Sequence, residues 1–249
     1  MIFCNNGEKI SFRNDNLIVK DDQDKTKLQL TCYRIFAVFV IGNITISSGL
    51  IQRAHKFNFS ILLFTNSFRL YDIIGSADRG NTYLRRNQYQ YSSIEVPRHI
   101  VYNKILNQQA LLKSVRYKSD YLKESIEKTA KYISELKNAD SIQSVMGYEG
   151  SASKIYFKAW FNNVLWNGRK PRVKCDITNS LLDIGYTVLF NFIEALLSIY
   201  GFDLYVGVLH REFYMRKSLV CDLVEPFRPI IDKQAKISLI CGSFLKISL

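Results

Sequence analysis

RHIVYNKILNQQALLKSVRYKSDYLKESIEKTAKYISELKNA, residues 98–139, decides the fold. It holds no Gly and no Pro, and strong helix formers dominate it. Val115, Leu122, Ile126 and Ile133 recur at helical steps and mark one apolar face. Lys118, Lys123, Glu127, Lys128 and Lys131 fall opposite. A stretch this long predicts two or more helices. Upstream the grammar changes. Residues 1 to about 80 carry short runs rich in Val, Ile and Phe, such as NLIVK (residues 16–20), RIFAVFV (34–40) and NFSILLF (58–64), separated by polar or Gly-containing breaks. They predict a small sheet or sandwich, with one short helix over residues 48–56. Downstream, residues 153–166, 179–200 and 219–224 read as further helices, with Pro171 and Gly201 as breakers. The expected fold class is α+β: a β-rich N-terminal domain over residues 1–85, then a larger all-α domain over residues 86–249.

The 249 residues are 47% apolar, enough for real cores and too apolar for a disordered tail. The net charge is +12. A small neutral substrate does not call for that excess, whereas a polyanion does, because each phosphate contact releases a counterion. Five scattered cysteines, without a CxxC pair, read as reduced thiols of a cytoplasmic protein. The N-terminus shows no secretion signal pattern. Residues 35–46, the most apolar stretch, are too short to span a bilayer, so no membrane is expected as a partner.

Chemistry must come from scarce residues. There are only three histidines. His55 and His99 sit in ordinary surface or helix-start contexts. His210 ends the apolar run LYVGVL and opens a basic loop, residues 211–217. Asp222 and Glu225 are three apart in SLVCDLVEPFRPIID, a spacing that puts both on one helical face; a helix-end pair with Arg228 is the plainer alternative. Glu149 precedes an amphipathic stretch, where it either stabilises a helix dipole or projects as a ligand. Lys154, Lys158, Arg169 and Arg172 follow it, interleaved with aromatics, and Arg211 and Arg216 flank the histidine loop. Cations around a carboxylate site suit a phosphodiester backbone. Oxygen ligands with one imidazole suit Mg²⁺ or Mn²⁺.

These residues lie in motifs with a family look. Gly147-Tyr148-Glu149-Gly150, RVKCDITNSLLDIGYTVL (172–189) with Asp176, Asn179, Gly185 and Tyr186, Gly207-Val208-Leu209-His210, and Asp222 to Pro229 within residues 219–232 follow one another in order. NDNLIV (14–19) and Gly80-Asn81 before Leu84-Arg85 agree with them. Over nearly its whole length the chain resembles the CRISPR-associated integrase family of spacer acquisition. The resemblance implies metal ligation by Glu149, His210 and Glu225, with Asp222 supporting the site and its loss milder than that of Glu225. It implies joining of a captured double-stranded DNA fragment, through its 3′-hydroxyl ends, to a CRISPR repeat by transesterification. It also implies a homodimer, formed through the β-rich domain, and a small ferredoxin-like companion protein. Water as nucleophile would make the same ligands a nuclease of branched or repair DNA. A DNA-binding scaffold with impaired catalysis is the third expectation, since family members continue further beyond the Phe-Arg-Pro segment.

Overall fold

The structure, a computed structural model, describes residues 2–5, 7–75, 80–162, 164, 166, 168–171, 173 and 176–241. The chain forms two compact units, Met1–Tyr89 with Asn191–Asp203, and Gln90–Phe190 with Leu204–Leu249.

The first unit holds two sheets. Strands β2 (Lys9–Arg13), β3 (Asn16–Lys20) and β4 (Thr26–Thr31) form an antiparallel meander. Asn14 and Asp15 close its first hairpin, both with positive φ, as a two-residue turn matched to strand twist requires. The second sheet has the order β1 (Ile2–Cys4), β5 (Ala37–Ile41), β6 (Ser60–Phe64), β7 (Leu70–Gly75); only β7 runs antiparallel to its neighbour. Continuous apolar runs signal this arrangement. AVFVI and SILLF are buried on both faces, which parallel strands need and half-solvated strands do not. Val38, Val40 and Ile61 face a core shared with Leu17 and Val19 of β3 and with Leu50 and Ala54 of α1 (Ser48–Phe57), the crossover helix between β5 and β6. Ala37, Phe39, Leu62 and Phe64 face the other way, against Phe192, Ala195 and Ile199.

That second face explains why residues 191–203 belong to this unit rather than to the helical domain expected from sequence. They complete its core. Helix α2 (Thr82–Gln90) adds polar ties. Arg85 donates to the Gly201 carbonyl at 2.9 Å, Gln88 to the Asp203 carbonyl at 2.7 Å, and the Tyr89 hydroxyl to the Asp203 carboxylate at 2.8 Å. The unit therefore runs past residue 85, to Tyr89.

The second unit is helical, without a strand among its described residues. The deciding stretch divides into α3 (Glu95–Ser114) and α4 (Asp120–Leu136), the latter capped by the Ser119 hydroxyl. α5 spans Ile142–Trp160, capped by Ser141. It starts well before the expected residue 153, so Glu149 lies inside a helix and not ahead of one. Gly147 and Gly150 hid this. Both face open space, and the helix is held by buried Val145, Ala152, Tyr156 and Trp160. α6 (Ile177–Ile199), α7 (Ser218–Val224), a 3₁₀ turn at Glu225–Phe227 and α8 (Arg228–Cys241) follow. α3 packs against α4, α5, α7, α8 and the 3₁₀ turn.

By length and composition α6 could cross a bilayer, a match not expected from residues 35–46, the run singled out as most apolar. Part of its apolar surface goes into cores, Leu182 and Tyr186 in the second unit and Ala195 and Ile199 in the first, while Ile177, Ile184 and Val188 are exposed. Polar Asn179, Asn191 and Glu194 are buried along it.

Candidate active site

Two constellations in the second unit carry the scarce residues. The first is a cradle around Asp222. Its carboxylate is fully buried, and it accepts from the backbone N–H of Val208 (2.6 Å), Leu209 (3.0 Å) and His210 (2.8 Å). The same group meets Nδ1 of the His210 ring at 2.7 Å. A carboxylate there fixes a proton on Nδ1, so that in the neutral ring Nε2 is the nitrogen with the lone pair. Gly207 permits the approach. A Cβ at that position would stand 2.8 Å from Asp222 Oδ2 and 2.9 Å from the Ser218 carbonyl carbon. Asp222 thus positions the histidine and its loop. Both of its oxygens are used inward, on the loop backbone and the His210 ring.

The second constellation surrounds Lys104 of α3. Its ammonium contacts Glu149 of α5 and, at 2.5 Å, Glu225 of the 3₁₀ turn. Glu225 uses its other oxygen on Arg228 at 3.0 Å. Only 7% of the Lys104 and Glu225 side chains is exposed, against 25% for Glu149, so the site opens on the Glu149 side. Burial alone would push the Glu225 carboxyl up, but Lys104 and Arg228, with His210 adding to them, hold it below the ordinary range. Burial would likewise lower Lys104, and Glu225 and Glu149 more than offset it. Asp222 and Glu225, read as two carboxylates on one face, in fact serve different partners; the Glu225–Arg228 pair is present, and the other Glu225 oxygen meets Lys104.

Sequence reasoning missed Lys104. The signal was there: Ile100, Val101, Lys104, Ile105, Gln108 and Leu112 share the buried stripe of α3, and a lysine inside such a stripe needs a carboxylate partner.

A polar knot adjoins the site. The Asp232 carboxylate of α8 accepts from the Tyr156 hydroxyl at 2.8 Å and from the Tyr186 hydroxyl. The Arg228 guanidinium stacks over the Tyr186 ring, 4.5 Å from its centre. Burial pushes the Asp232 carboxyl up to about 6, although both tyrosines, Lys104 and Arg228 oppose it. Folding therefore favours its proton. The stability this group contributes is full below its unfolded pKa and is lost as pH rises from about 4 to about 6, ~3 kcal/mol in total. Glu225 acts in the opposite sense, losing its contribution as pH falls below the usual carboxylate range. Asp232→Asn keeps the shape, and either tyrosine hydroxyl can turn to accept from the amide. Denaturant titrations across this pH window are expected to show the falling limb in the parent chain and a flat one in the variant. An identical slope in both would exclude Asp232 as its source.

The expected DNA-facing cations divide. Lys154, Lys158, Arg211 and Arg216 are not buried, and the last two bracket a loop whose Phe213, Tyr214 and Met215 are exposed. Arg169 is committed internally, to Asp183 at 2.6 Å and Asn179 at 3.0 Å, and it faces the Tyr186 ring. Its assignment to phosphate is corrected to a structural tie. Arg172 lies outside the described residues.

Among the described residues no three His, Cys, Asp or Glu side chains are close enough to hold a metal ion. The donor chemistry nonetheless fits a hard cation. Two carboxylates from different helical elements already share one positive charge, and the Lys104 ammonium stands in for it.

The family model described as CRISPR associated protein Cas1 matches residues 1–243. A CRISPR-associated endonuclease Cas1 of Francisella tularensis subsp. novicida is 29% identical over 247 residues, covering 94% of this chain and 76% of that protein. The chain spans about two thirds to three quarters of the length of such curated relatives. A chain of a partial Cas6-RT-Cas1–Cas2 complex superposes with a TM-score of 0.84 at 23% identity, over 98% of this chain and 77% of that one. A casposase bound to its integration product superposes at 0.67 and 19% identity, over 97% and 73%. The solved structures establish the shared fold.

Proposed function

The chain belongs to the Cas1 family of CRISPR-associated proteins, and on that premise we propose that it is a metal-dependent DNA endonuclease and integrase of spacer acquisition. The observation that carries the reading is the sharing of one buried positive charge by Glu149 and Glu225, in the unit that also holds a histidine aimed by a buried carboxylate. Glu149 and Glu225 would supply hard oxygen donors for Mg²⁺ or Mn²⁺; His210, which forms no three-ligand group with them in this structure, would have to draw in to offer Nε2 as the third donor. When bound, such an ion polarises the phosphoryl oxygen and steadies charge on the attacking and leaving oxygens. Asp222 keeps His210 in one tautomer and one orientation. Arg228 fixes the Glu225 carboxylate from the opposite side. Lys154, Lys158, Arg211 and Arg216 hold the DNA backbone.

The substrate in this reading is a captured double-stranded fragment whose 3′-hydroxyl attacks a repeat-edge phosphodiester. A homodimer supplies two active centres for the two ends, with the β-rich first unit as the contact. The small ferredoxin-like companion is part of the same reading, in keeping with the Cas1–Cas2 assembly in which a structural relative was solved. The test is an integration assay with end-labelled DNA, a supercoiled repeat-bearing plasmid and Mn²⁺ or Mg²⁺. Label transferred to plasmid supports the integrase. Cleavage of branched DNA without transfer would leave the nuclease alternative, and binding without either would leave a scaffold.

Electrostatics give an independent check. Replacing Lys154, Lys158, Arg211 and Arg216 together by Gln is expected to weaken binding to any DNA sequence. The log–log dependence of affinity on salt should flatten by roughly 0.9 for each phosphate no longer neutralised. Arg169→Ala should lower thermal stability and leave that slope alone. A slope unmoved by the fourfold change would place these cations away from DNA.

A further inference from the structure

The buried stripe of α3 contains two polar side chains with linked anomalies. Lys104 places its ammonium between the carboxylates of Glu149 and Glu225, and Gln108, four residues on, carries a buried Oε1 without a hydrogen-bond partner. A buried lysine bridging two acids is seldom the most stable filling for its space, since desolvation offsets much of the attraction. An unpaired buried amide oxygen adds a further cost.

The amide orientation follows from proton counting. Ser153 has one hydroxyl proton, and its Oγ lies 3.2 Å from Glu149 Oε1, so it donates there. It must then accept from Gln108, whose Nε2 is 3.3 Å away. That leaves Gln108 Oε1 as the free end. Ser153 joins Gln108 to Glu149, the acid that also holds the Lys104 ammonium, so the free Oε1 belongs to the same buried polar chain, one helical turn along α3 from Lys104.

A divalent cation drawn to Glu149 and Glu225 meets the ammonium already between them. Two such charges do not share a poorly screened site. Arg228 remains on the far oxygen of Glu225 and need not move. We propose that Lys104 is a built-in counter-cation that holds the two carboxylates together until a divalent ion displaces it, and that Gln108 receives the displaced ammonium. The inference rests on Glu149 and Glu225 being the metal ligands. Its consequence is that metal affinity is set by an exchange: the ion must outcompete Lys104, and Gln108 lowers the cost of its departure.

The test is Mn²⁺ binding by the full chain, followed calorimetrically and by the electron paramagnetic resonance of free Mn²⁺. Lys104→Met is expected to bind Mn²⁺ about tenfold or more tightly than the parent, because nothing competes for the carboxylates. Gln108→Leu is expected to bind about three- to tenfold more weakly while folding normally, because the ammonium loses its alternative partner. In the Lys104→Met background Gln108→Leu should have no effect, since no ammonium is left to receive. Should Lys104→Met not fold, Gln108→Leu alone decides, because a purely structural glutamine would alter melting without altering Mn²⁺ affinity. Equal Mn²⁺ affinity in the parent, Lys104→Met and Gln108→Leu overturns the exchange. Glu149→Gln separates this from the underlying site. If it binds Mn²⁺ as well as the parent, Glu149 is not a ligand and both readings fall. If it loses Mn²⁺ while the Lys104 and Gln108 variants match the parent, only the exchange falls.

Discussion

Glu149→Ala is expected to lower strand transfer by about a thousandfold or more, equivalent to ~4 kcal/mol of transition-state stabilisation, while DNA affinity stays within a few-fold of the parent. The two effects separate because they rest on different residues. Binding draws on surface Lys and Arg against phosphate, whereas Glu149 acts only where charge develops on the reacting oxygens. The change is also structurally mild for an active-site acid. Glu149 is the more exposed of the two carboxylates, and Lys104 keeps Glu225 as a partner when it is gone. His210→Ala should give a comparable loss of transfer. Filter binding and the plasmid assay on the same preparations check both. Transfer at more than about a tenth of the parent rate in Glu149→Ala would remove it from the chemistry.

Asp222→Ala is expected to be the most damaging single change to the fold near the site. It leaves the N–H groups of Val208, Leu209 and His210 without their acceptor and frees the His210 ring. Each orphaned donor costs about 1–3 kcal/mol, so the three set a range of roughly 3–9 kcal/mol; water reaching the loosened loop keeps the loss in the lower half of it, a drop of ~10–20 °C in Tm for a chain of this size. Glu225→Gln keeps one acceptor oxygen, for either Lys104 or Arg228, and turns an amide N–H toward the other; it orphans fewer groups than Asp222→Ala and should melt higher. The milder loss expected for Asp222 concerns strand transfer, where it supports rather than ligates; its effect on the fold is a separate quantity, and the cradle makes that one large. Differential scanning calorimetry on both variants decides the order, and a Tm for Asp222→Ala within a few degrees of the parent would mean that the loop finds other acceptors.

Local features were legible in the sequence. α1 begins at Ser48 as read, because its Ser47 cap and Asn58 stop are local signals. The split of residues 98–139 into two helices followed from length, and Ser119 marks it. Distant pairing was not legible. Nothing near β5 says that it lies between β1 and β6, and nothing in residues 191–203 says that they cover a sheet. The start of α5 was also misplaced, since residues 142–152, with Gly147 and Gly150 among them, belong to a helix that tertiary packing keeps whole. In the site, Glu149, His210, Asp222 and Glu225 stood out by scarcity, spacing and motif. Lys104 did not, because its role depends on carboxylates 45 and 121 residues away. Arg169 looked like any surface cation until its partners Asp183 and Asn179 were in view.

The discontinuity of the first unit sets an order of events on the ribosome. Its strands are all made by Gly75, yet the cover for one face of its sheet, Phe192, Ala195 and Ile199, lies on the far side of about a hundred residues of the other unit. At translation speeds of about 5–20 residues per second, the nascent chain carries Phe39, Leu62 and Phe64 without their lid for roughly 5–20 s. An uncovered apolar sheet face is an invitation to chaperones and to other nascent chains. Expression yield should therefore respond to the pace of translation between codons 90 and 203, and a fragment ending at Tyr89 should be insoluble even though it contains every strand of its sheets.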